Sequence, residues 1–352
     1  MSNSNQNLFH YIGDLSQVAG IKHLAFQSGR AKGVEAFETR TGAGLTYTVL
    51  KDRCLDLAWA EFKGTPFGFI SNTGVVAPAF FEAAGTGFMR SFTAGLLTTC
   101  GMTYSGAACE DQGQSLGLHG RIANTPAEEV GYETVRQDDG IEFVIRGKVR
   151  EASFFNENLV LERQIRSRFG ENKIRIEDRV VNLGFRTEPL MMLYHFNFGY
   201  PLLQEGTEIV APLQRATPRD ARAAAGLADH FRVEAPQAGF AEQVYYLDLT
   251  ADAAGNTQIG LLQPAHEFGV YLKFNKGQFP RLIQWKQMGQ GFYVMGIEPS
   301  NCLPEGRAKE RERGMLPFIN PGEVREFQLE LGVLETREAI ATFREQVGKL
   351  LP

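Results

Sequence analysis

Apolar and polar residues alternate with a period of two in many short stretches of this 352-residue chain. Successive side chains of an extended strand point to opposite faces, so the odd-numbered residues from Leu159 to Ile165 share one face. The even-numbered residues from Ile174 to Val180 do the same, and a Gly-Glu-Asn-Lys turn at 170–173 joins the two stretches. The pattern predicts a long antiparallel hairpin. A chain built from such units folds through strand pairing rather than helix packing.

Further strand-like stretches occur at 44–50, 141–149, 268–274, 291–298 and 324–334. Most are separated by turn residues and not by helical segments, which disfavours a parallel βαβ architecture. The 38 glycines and 26 phenylalanines also suit a fold of many strands and turns. We predict an all-β fold, a large antiparallel β-sandwich in which residues 1–352 form one domain.

Helical patterns are confined to the margins of the chain. The tail 336–352 repeats apolar residues at helical spacing, with Thr336 as the N-cap, and predicts a C-terminal helix. The leading segment 1–40 is expected to hold strands and a short helix around 15–20. The segment 76–97 fits neither pattern, and 214–240 is predicted as a long excursion between strands. A long loop in a regular β domain is often functional.

Charge and cysteine content exclude several function classes. The chain has 36 Lys and Arg against 41 Asp and Glu, a net charge of −5 with both signs scattered, so nucleic acid is not an expected partner. The four cysteines form no CxxC pair and are predicted to be free thiols. There is no apolar stretch long enough for a membrane span and no leader-like N-terminus, so we expect a cytoplasmic protein.

Four groups of polar residues stand in apolar or Gly-rich surroundings, where an unpaired polar group costs about 1–3 kcal/mol. His119 and Arg121 are two positions apart in a Gly-rich segment. His195 and Asn197 share one face of an apolar strand. Each also has a structural interpretation, as a surface turn for the first group and a satisfied core histidine for the second.

Glu298 ends an apolar strand and precedes Pro299. Burial there would raise the pKa of its carboxyl group toward neutrality, as a general base requires. The alternative is a carboxylate that caps the following turn. Arg90 lies among Phe88, Met89 and Phe92, where it either stacks on the aromatic rings or donates hydrogen bonds to a polyhydroxyl ligand.

No cofactor motif accompanies these residues. No GxGxxG opens a helix after a strand, no Walker-type GK[ST] occurs, and the histidines lack close carboxylate neighbours of the kind that bind zinc. We therefore expect neither a cofactor nor a metal.

Taken in order, these landmarks resemble the galactose mutarotase-like superfamily and, within it, an aldose 1-epimerase-related branch of the domain-of-unknown-function type. The resemblance spans about residues 40–335. Its most specific part is the stretch VVNLGFRTEPLMMLYHFNFGYPL, and it also includes Arg90, the LHG motif at 118–120, the GIEPSNC phrase and a PGE phrase at 321–323.

The resemblance implies a cofactor-free aldose 1-epimerase that acts on a free monosaccharide. It places the general base on Glu298, the general acid on His195, and sugar binding on Arg90 and His119. We assign Arg121 and Asn197 to the same pocket. The phrase His-Phe-Asn-Phe-Gly departs from the family's usual His-Pro-Tyr-Phe-Asn, and the family's substrate-binding Asp has no clear counterpart. Asp220 is our choice for it, with Asp248 as the alternative.

The chemistry fits the residues independently, since opening and reclosing a sugar ring needs one acid and one base and no redox step. Three alternatives stay open: an epimerase acting at another sugar carbon, a non-catalytic carbohydrate-binding or sensor protein, and a glycoside hydrolase, for which a second carboxylate is missing. A phosphosugar substrate would use Arg53, Arg90 and Arg121 as an anion cluster. Exposed strand edges are compatible with a homodimer.

Overall fold

A computed structural model describes residues 8–264 and 267–351. The described chain is dominated by short strands, as the alternation predicts. Numbered along the chain, the strands are β1 (Gly20–Ala25), β2 (Glu35–Arg40), β3 (Leu45–Leu50), β4 (Asp56–Phe62), β5 (Thr65–Pro66), β6 (Phe69–Ile70), β7 (Ala94–Gly95), β8 (Leu97–Cys100), β9 (Cys109–Asp111), β10 (Gln114–Leu116), β11 (Glu128–Gln137), β12 (Gly140–Ala152), β13 (Asn158–Arg168), β14 (Lys173–Asn182), β15 (Glu188–Pro189), β16 (Leu193–Gly199), β17 (Glu208–Val210), β18 (Leu213–Pro218), β19 (Gln243–Leu249), β20 (Asn256–Gln263), β21 (Phe268–Asn275), β22 (Arg281–Gly289), β23 (Phe292–Ser300), β24 (Phe318–Ile319) and β25 (Val324–Leu334).

The helices are few and short. They are α1 (Ala221–Ala225), α2 (Arg307–Glu312) and α3 (Arg337–Gly348), together with 3₁₀ turns at Leu15–Gln17, Gly29–Ala31, Pro78–Phe80, Gly87–Arg90, Ile122–Asn124 and Leu227–Asp229. The predicted C-terminal helix is confirmed as α3, where the Thr336 side chain accepts a hydrogen bond from the Ala339 amide. The short helix predicted around 15–20 is the first 3₁₀ turn. Residues 1–7 of the predicted leading segment and residue 352 of the predicted tail lie outside the described residues.

Two antiparallel sheets form the body of the fold. The larger has the order β11-β12-β13-β14-β25-β21-β20-β17 and contains the predicted hairpin as β13 and β14. The smaller has the order β18-β19-β22-β23-β16-β8, and a five-stranded sheet β1-β2-β3-β4-β5 adjoins them. The prediction of an all-β antiparallel sandwich is confirmed.

One cluster of buried side chains joins the sheets. Leu161 and Ile176 from the eight-stranded sheet pack in the same core as Phe196 and Ile297 from the six-stranded sheet. Because side chains alternate along β23, residues 296 and 298 lie on the face of the six-stranded sheet that points away from this core. That outer face carries the candidate site.

A charged network lies inside the core beside the same strands. The Arg163 guanidinium, whose side chain is fully buried, lies 2.9 Å from Asp56 and 2.6 Å from Asp178. The Tyr194 hydroxyl donates to Asp178 at 2.5 Å, and the Arg163 guanidinium donates to the Thr99 hydroxyl. Buried charges are tolerated when they are paired and hydrogen-bonded in this way, which explains an arginine on the inward face of the hairpin.

The long excursion predicted at 214–240 is wrong at its start, because β18 extends to Pro218; the remainder runs toward β19 and packs largely against the core. Ala223 and Val233 are buried in the main apolar cluster. Lys286, whose side chain is almost fully buried, donates to the Asp229 carbonyl and forms an ion pair with Glu234 at 2.9 Å. The middle of the excursion is therefore structural.

The four cysteines, Cys54, Cys100, Cys109 and Cys302, are free, as predicted. Among the described helices, none has both the length and the apolar character that crossing a membrane would need.

Candidate active site

A cavity of about 390 Å³ opens on the outer face of the six-stranded sheet. Its floor is formed by side chains of β16, β19, β22 and β23, and its other walls come from connecting segments. The polar residues that line it are Thr86, His119, His195, Arg219, Glu242 and Glu298.

His195 and Glu298 meet at the floor as cross-strand neighbours. Leu193 pairs with Ser300 and Phe196 with Ile297, a register that places residue 195 opposite residue 298. The His195 Nε2 atom lies 3.2 Å from the Glu298 Oε1 atom, and only 6% and 3% of the two side chains are exposed. Strand pairing thus fixes the two groups against each other without support from a loop.

Several buried polar atoms of the site have no hydrogen-bond partner among the described residues. They are Nδ1 of His195, Oε1 of Glu298 and Nδ1 of His119. Leaving such atoms unpaired is costly, and native proteins usually satisfy them with protein groups, water or a ligand. The unpaired atoms point to a site that completes its hydrogen bonds with a bound molecule.

His119 reaches the cavity from a tight loop. Its backbone is left-handed, with φ +58°, which is uncommon for a residue with a side chain and is found preferentially at functional sites. The His119 ring meets His195 edge-on at a centroid distance of 5.9 Å and packs on Phe88 at 5.3 Å. Gly120 allows this loop to form, since a Cβ there would lie 2.1 Å from the Gly101 carbonyl oxygen.

Burial dominates the acid–base properties of the site. It raises the pKa of Glu298 well above its usual value, an effect that Glu242 reinforces and Arg219 opposes. Burial also lowers the pKa of His195 to about 3 and that of His119 to about 4. Before a ligand binds, the low-dielectric cavity therefore favours neutral forms of all three groups.

A second polar group lies on one side of the cavity. The Glu242 carboxylate accepts a hydrogen bond from Arg219 at 3.0 Å and another from the Trp285 indole nitrogen at 2.7 Å. Arg219 also donates to Asp220. The carboxylate and guanidinium are partly exposed to the cavity, and each can bind a hydroxyl group while keeping its partner.

Gly296 leaves space beneath the catalytic candidates. It lies in β23 opposite Trp285, two positions from Glu298 on the same face. A Cβ at this position would be 2.6 Å from Glu298 Oε1, 3.0 Å from the Trp285 Cβ and 3.3 Å from the His195 ring. The absence of a side chain here permits the observed placement of the carboxylate.

The structure brings together three of the seven predicted site residues, namely Glu298, His195 and His119. Arg90 is exposed on the surface and lies 3.4 Å from Glu82. Arg121 is also exposed, with its guanidinium over the Tyr104 ring and facing a different depression.

The other two predicted residues support neighbouring structure. Asn197 is fully buried beside the site and donates to the carbonyls of Ala94 and His195. Asp220 caps α1 by accepting from the Ala223 amide. Neither lines the cavity.

The alternative residues that the sequence suggested, Asp248 and Arg53, also lie away from the cavity. Asp248 pairs with Lys276 at 3.0 Å. Arg53 is buried and donates to the carbonyls of Ala123, Val76 and Ser91, so it is not grouped with Arg90 and Arg121 as an anion cluster.

Sequence reasoning missed Arg219, Glu242 and Trp285. A signal existed for Arg219, because it lies in the segment 214–240, a kind of loop that is often functional; Glu242 lies two positions beyond that segment. Trp285 carried no distinguishing pattern. Within the described part of the chain, no three His, Cys, Asp or Glu side chains are arranged to hold a metal ion.

The chain matches one known family model. A family model described as a domain of unknown function, DUF4432, matches residues 31–333. No curated protein matches the chain significantly.

Solved structures show the same fold. A protein from Klebsiella pneumoniae that carries the provisional name aldose 1-epimerase is 28% identical, with a TM-score of 0.90 over 94% of this chain and 88% of that one. A galactose mutarotase-like protein from Clostridium acetobutylicum is 13% identical, with a TM-score of 0.65 over 91% of this chain and 100% of that one. A galactose 1-epimerase from Lactobacillus acidophilus is 12% identical, with a TM-score of 0.60 and the same coverage. The expected galactose mutarotase-like fold is confirmed.

Proposed function

The chain belongs to the DUF4432 family and has the galactose mutarotase-like fold, and from this premise we propose that it is an aldose 1-epimerase, which interconverts the α and β anomers of a free sugar. The observation that carries the proposal is the buried contact between His195 Nε2 and Glu298 Oε1 at the floor of the cavity. Structural neighbours include proteins named as aldose or galactose 1-epimerases.

The reaction needs the pair to hold one proton. One member of the pair donates a proton to the ring oxygen while the other removes the proton of the C1 hydroxyl, and the C1–O5 bond breaks to give the open-chain aldehyde. After rotation about C1–C2, both proton transfers reverse on the other face of the carbonyl, and the ring recloses as the other anomer. Protons balance over the cycle, and each residue returns to its starting state.

The contact distance makes both assignments of roles accessible to the pair. With the proton on the imidazole, His195 is the acid and Glu298 the base, as the family resemblance implies. With the proton on the carboxyl group, the roles exchange, and burial favours this neutral form while the cavity is empty. The two atoms are 3.2 Å apart without forming a hydrogen bond, so in this proposal the proton moves from one residue to the other through the bound sugar.

The remaining polar groups are suited to holding the sugar. His119 lines the same cavity and has an unpaired buried nitrogen. The Arg219–Glu242 pair offers a donor and an acceptor on the side of Trp285. In this proposal Glu242 takes the part of the substrate-binding carboxylate for which the sequence suggested Asp220.

The test is mutarotation of freshly dissolved α-anomers of a sugar panel, followed by polarimetry with the uncatalysed rate subtracted. Glu298→Gln preserves the shape of the side chain but cannot exchange a proton, and it should lower kcat/KM by roughly 10²–10⁴-fold while sugar binding persists. Glu326→Gln, an exposed position on β25, is the matched control and should retain activity.

Two results would contradict the proposal. Full activity in Glu298→Gln would remove the acid–base assignment. Sugar binding by the wild-type protein without any acceleration of mutarotation would identify a carbohydrate sensor rather than an enzyme.

A further inference from the structure

The His195 ring has two nitrogen atoms, and only one of them contacts Glu298. Nε2 lies 3.2 Å from Glu298 Oε1 at the floor of the cavity. Nδ1 is buried and has no hydrogen-bond partner among the described residues. Because the two nitrogens of an imidazole point in nearly opposite directions, a sugar bound against Nε2 and Glu298 does not also reach Nδ1. A partner for Nδ1 therefore has to come from the protein.

Asn197 can supply this partner through its side-chain oxygen. It follows His195 by two positions on the same face of β16 and is fully buried. Its Nδ2 atom donates to the Ala94 carbonyl at 3.3 Å and to the His195 carbonyl at 2.8 Å. An amide nitrogen carries two hydrogens, so both are used. The amide can offer a neighbour only its oxygen, Oδ1, which is itself buried and unpaired.

The influences on the pKa of His195 agree with an acceptor beside the ring. Burial and the charge of His119 lower this pKa, whereas hydrogen bonding to the Asn197 side chain and to the carbonyl of residue 195 raises it. A hydrogen bond raises the pKa of an imidazole when it accepts a proton from the ring. In the structure this contact falls short of a full hydrogen bond, since Nδ1 and Oδ1 both remain unpaired. The two atoms are nevertheless complementary, because each lacks the partner that the other provides.

Resting on the proposed function, we infer that Asn197 is a positioning residue, which holds the proton of neutral His195 on Nδ1 and leaves Nε2 with a free lone pair. In the opposite tautomer, a buried lone pair on Nδ1 would face the lone pairs of Oδ1. With Nε2 unprotonated, the one proton that the acid–base pair holds belongs to the Glu298 carboxyl group. His195 then begins the reaction as the base and Glu298 as the acid, the reverse of the roles that the family resemblance implies.

The proton transfers balance with these roles. Nε2 takes the proton of the C1 hydroxyl, Glu298 gives its proton to the ring oxygen, and the C1–O5 bond breaks. The pair is then an imidazolium and a carboxylate, and Asn197 Oδ1 stabilises the imidazolium by accepting from Nδ1–H. When the ring recloses, Glu298 recovers the proton of the C5 hydroxyl and His195 returns its proton to the oxygen on C1.

NMR of protein labelled with ¹⁵N at histidine reads the position of the proton directly. Long-range ¹H–¹⁵N correlation spectra distinguish Nδ1 from Nε2 and show which of them carries hydrogen, and a His195→Gln variant assigns the signals. We expect Nδ1–H in the wild-type protein at neutral pH. A proton on Nε2 of neutral His195 would overturn the inference, and this result does not depend on whether the protein turns over any sugar.

Two variants at position 197 separate positioning from structural support. Asn197→Leu and Asn197→Asp both remove the Nδ2 donor, but only Asn197→Asp keeps an acceptor for Nδ1–H. In Asn197→Leu the proton should move in part to Nε2, and kcat should fall by about 10–100-fold with a smaller change in KM. In Asn197→Asp the proton should stay on Nδ1, and the loss of kcat should be smaller. Equal behaviour of the two variants would show that Asn197 only supports the backbone.

The matched control is Thr98→Val. The Thr98 hydroxyl donates to the same Ala94 carbonyl at 2.6 Å, and Thr98 pairs with His195 across the strands, so its loss disturbs the same backbone and keeps Asn197 Oδ1. The tautomer and kcat should be unchanged.

The outcomes distinguish this inference from the epimerase proposal. If the wild-type protein turns over no sugar, the epimerase proposal fails, and the NMR spectra alone decide where the proton lies. If Asn197→Leu does not fold, the wild-type and Asn197→Asp spectra decide, and a proton away from Nδ1 in either would contradict the inference.

Discussion

Two buried polar clusters lie on opposite faces of β16, one residue apart in the chain. Tyr194 points into the core and joins Arg163, Asp56 and Asp178, where the charged groups are paired and hydrogen-bonded. His195 points outward to Glu298, where buried nitrogen and oxygen atoms have no partner among the described residues.

The difference between the clusters distinguishes a group that stabilises the fold from one that we propose takes part in the reaction. A buried network with complete hydrogen bonding stabilises the fold only as a unit, and removing one member leaves a charge unpaired. Unpaired buried atoms cost free energy of folding, and we therefore assign the second cluster to the proposed reaction. We expect substitutions in the first cluster to affect stability and those in the second to affect catalysis.

The largest effect on stability is expected for Asp178→Asn. The substitution removes the charge that faces the fully buried Arg163 guanidinium, and it should lower the free energy of unfolding by about 3–5 kcal/mol in urea denaturation. Glu298→Gln is the matched change in the other cluster and should alter the same quantity by less than about 1 kcal/mol. Similar losses in both variants would show that the two clusters contribute alike to stability.

A smaller effect, on turnover, is expected for Gly296→Ala. The added Cβ would approach Glu298 Oε1 to 2.6 Å, and a flexible carboxylate can move away at little cost to the fold. Displacement of the carboxylate should lower kcat by about 10–100-fold, because misplacing a catalytic group by about 1 Å has consequences of that size.

The control for Gly296→Ala is Gly131→Ala in β11, where the nearest atom to a new Cβ is Arg146 Nε at 3.5 Å. Both variants should unfold within about 1 kcal/mol of the wild-type protein. A loss of stability in Gly296→Ala without a loss of kcat would place Gly296 with the structural cluster instead.

The smallest expected effect is the change of kcat/KM between pH 7 and pH 5. Burial lowers the pKa of His195 to about 3 and that of His119 to about 4, so neither should gain a proton as the pH falls from 7 to 5. Between these values kcat/KM should change by less than about 2-fold, whereas an exposed histidine base with a pKa of 6.5 would lose about 25-fold. Loss of the shared proton should instead reduce activity at high pH, because burial raises the pKa of Glu298.

The dependence of kcat/KM on pH is measured by polarimetry after subtracting the buffer-catalysed rate at each pH. Intrinsic fluorescence of the tryptophans reports whether the protein stays folded over the same range. A decline centred near pH 6.5 in folded protein would show that His195 is hydrated like a surface residue.

The sequence was sufficient to predict the sheets and to single out His195 and Glu298, which the structure brings together; their acid–base roles come from the family resemblance and stay a prediction. Alternation defined β13 and β14, and apolar surroundings on a strand singled out His195 and Glu298. In segments without periodicity, the sequence did not indicate which side chains face the cavity. Arg90 and Asp220 were predicted, but the adjacent residues Met89 and Arg219 line the cavity.

The physical reason is the rotation of side chains in irregular backbone. One residue along a 3₁₀ turn or a helix cap changes the direction of a side chain, and nothing in the local sequence records which direction faces a distant strand. Glu242 presented a related difficulty, since its role depends on Arg219 and Trp285, which lie 23 and 43 positions away.

The residues of the site fall into two groups according to the backbone that holds them. His195 and Glu298 are held by strand register, whereas His119, Arg219, Glu242 and most of the apolar lining belong to connecting segments. Connections tolerate substitution and insertion better than paired strands do. Under the proposed function, proton transfer depends on the strands and the choice of sugar on the connections, and loop replacement is the route we expect for redirecting this protein toward another substrate.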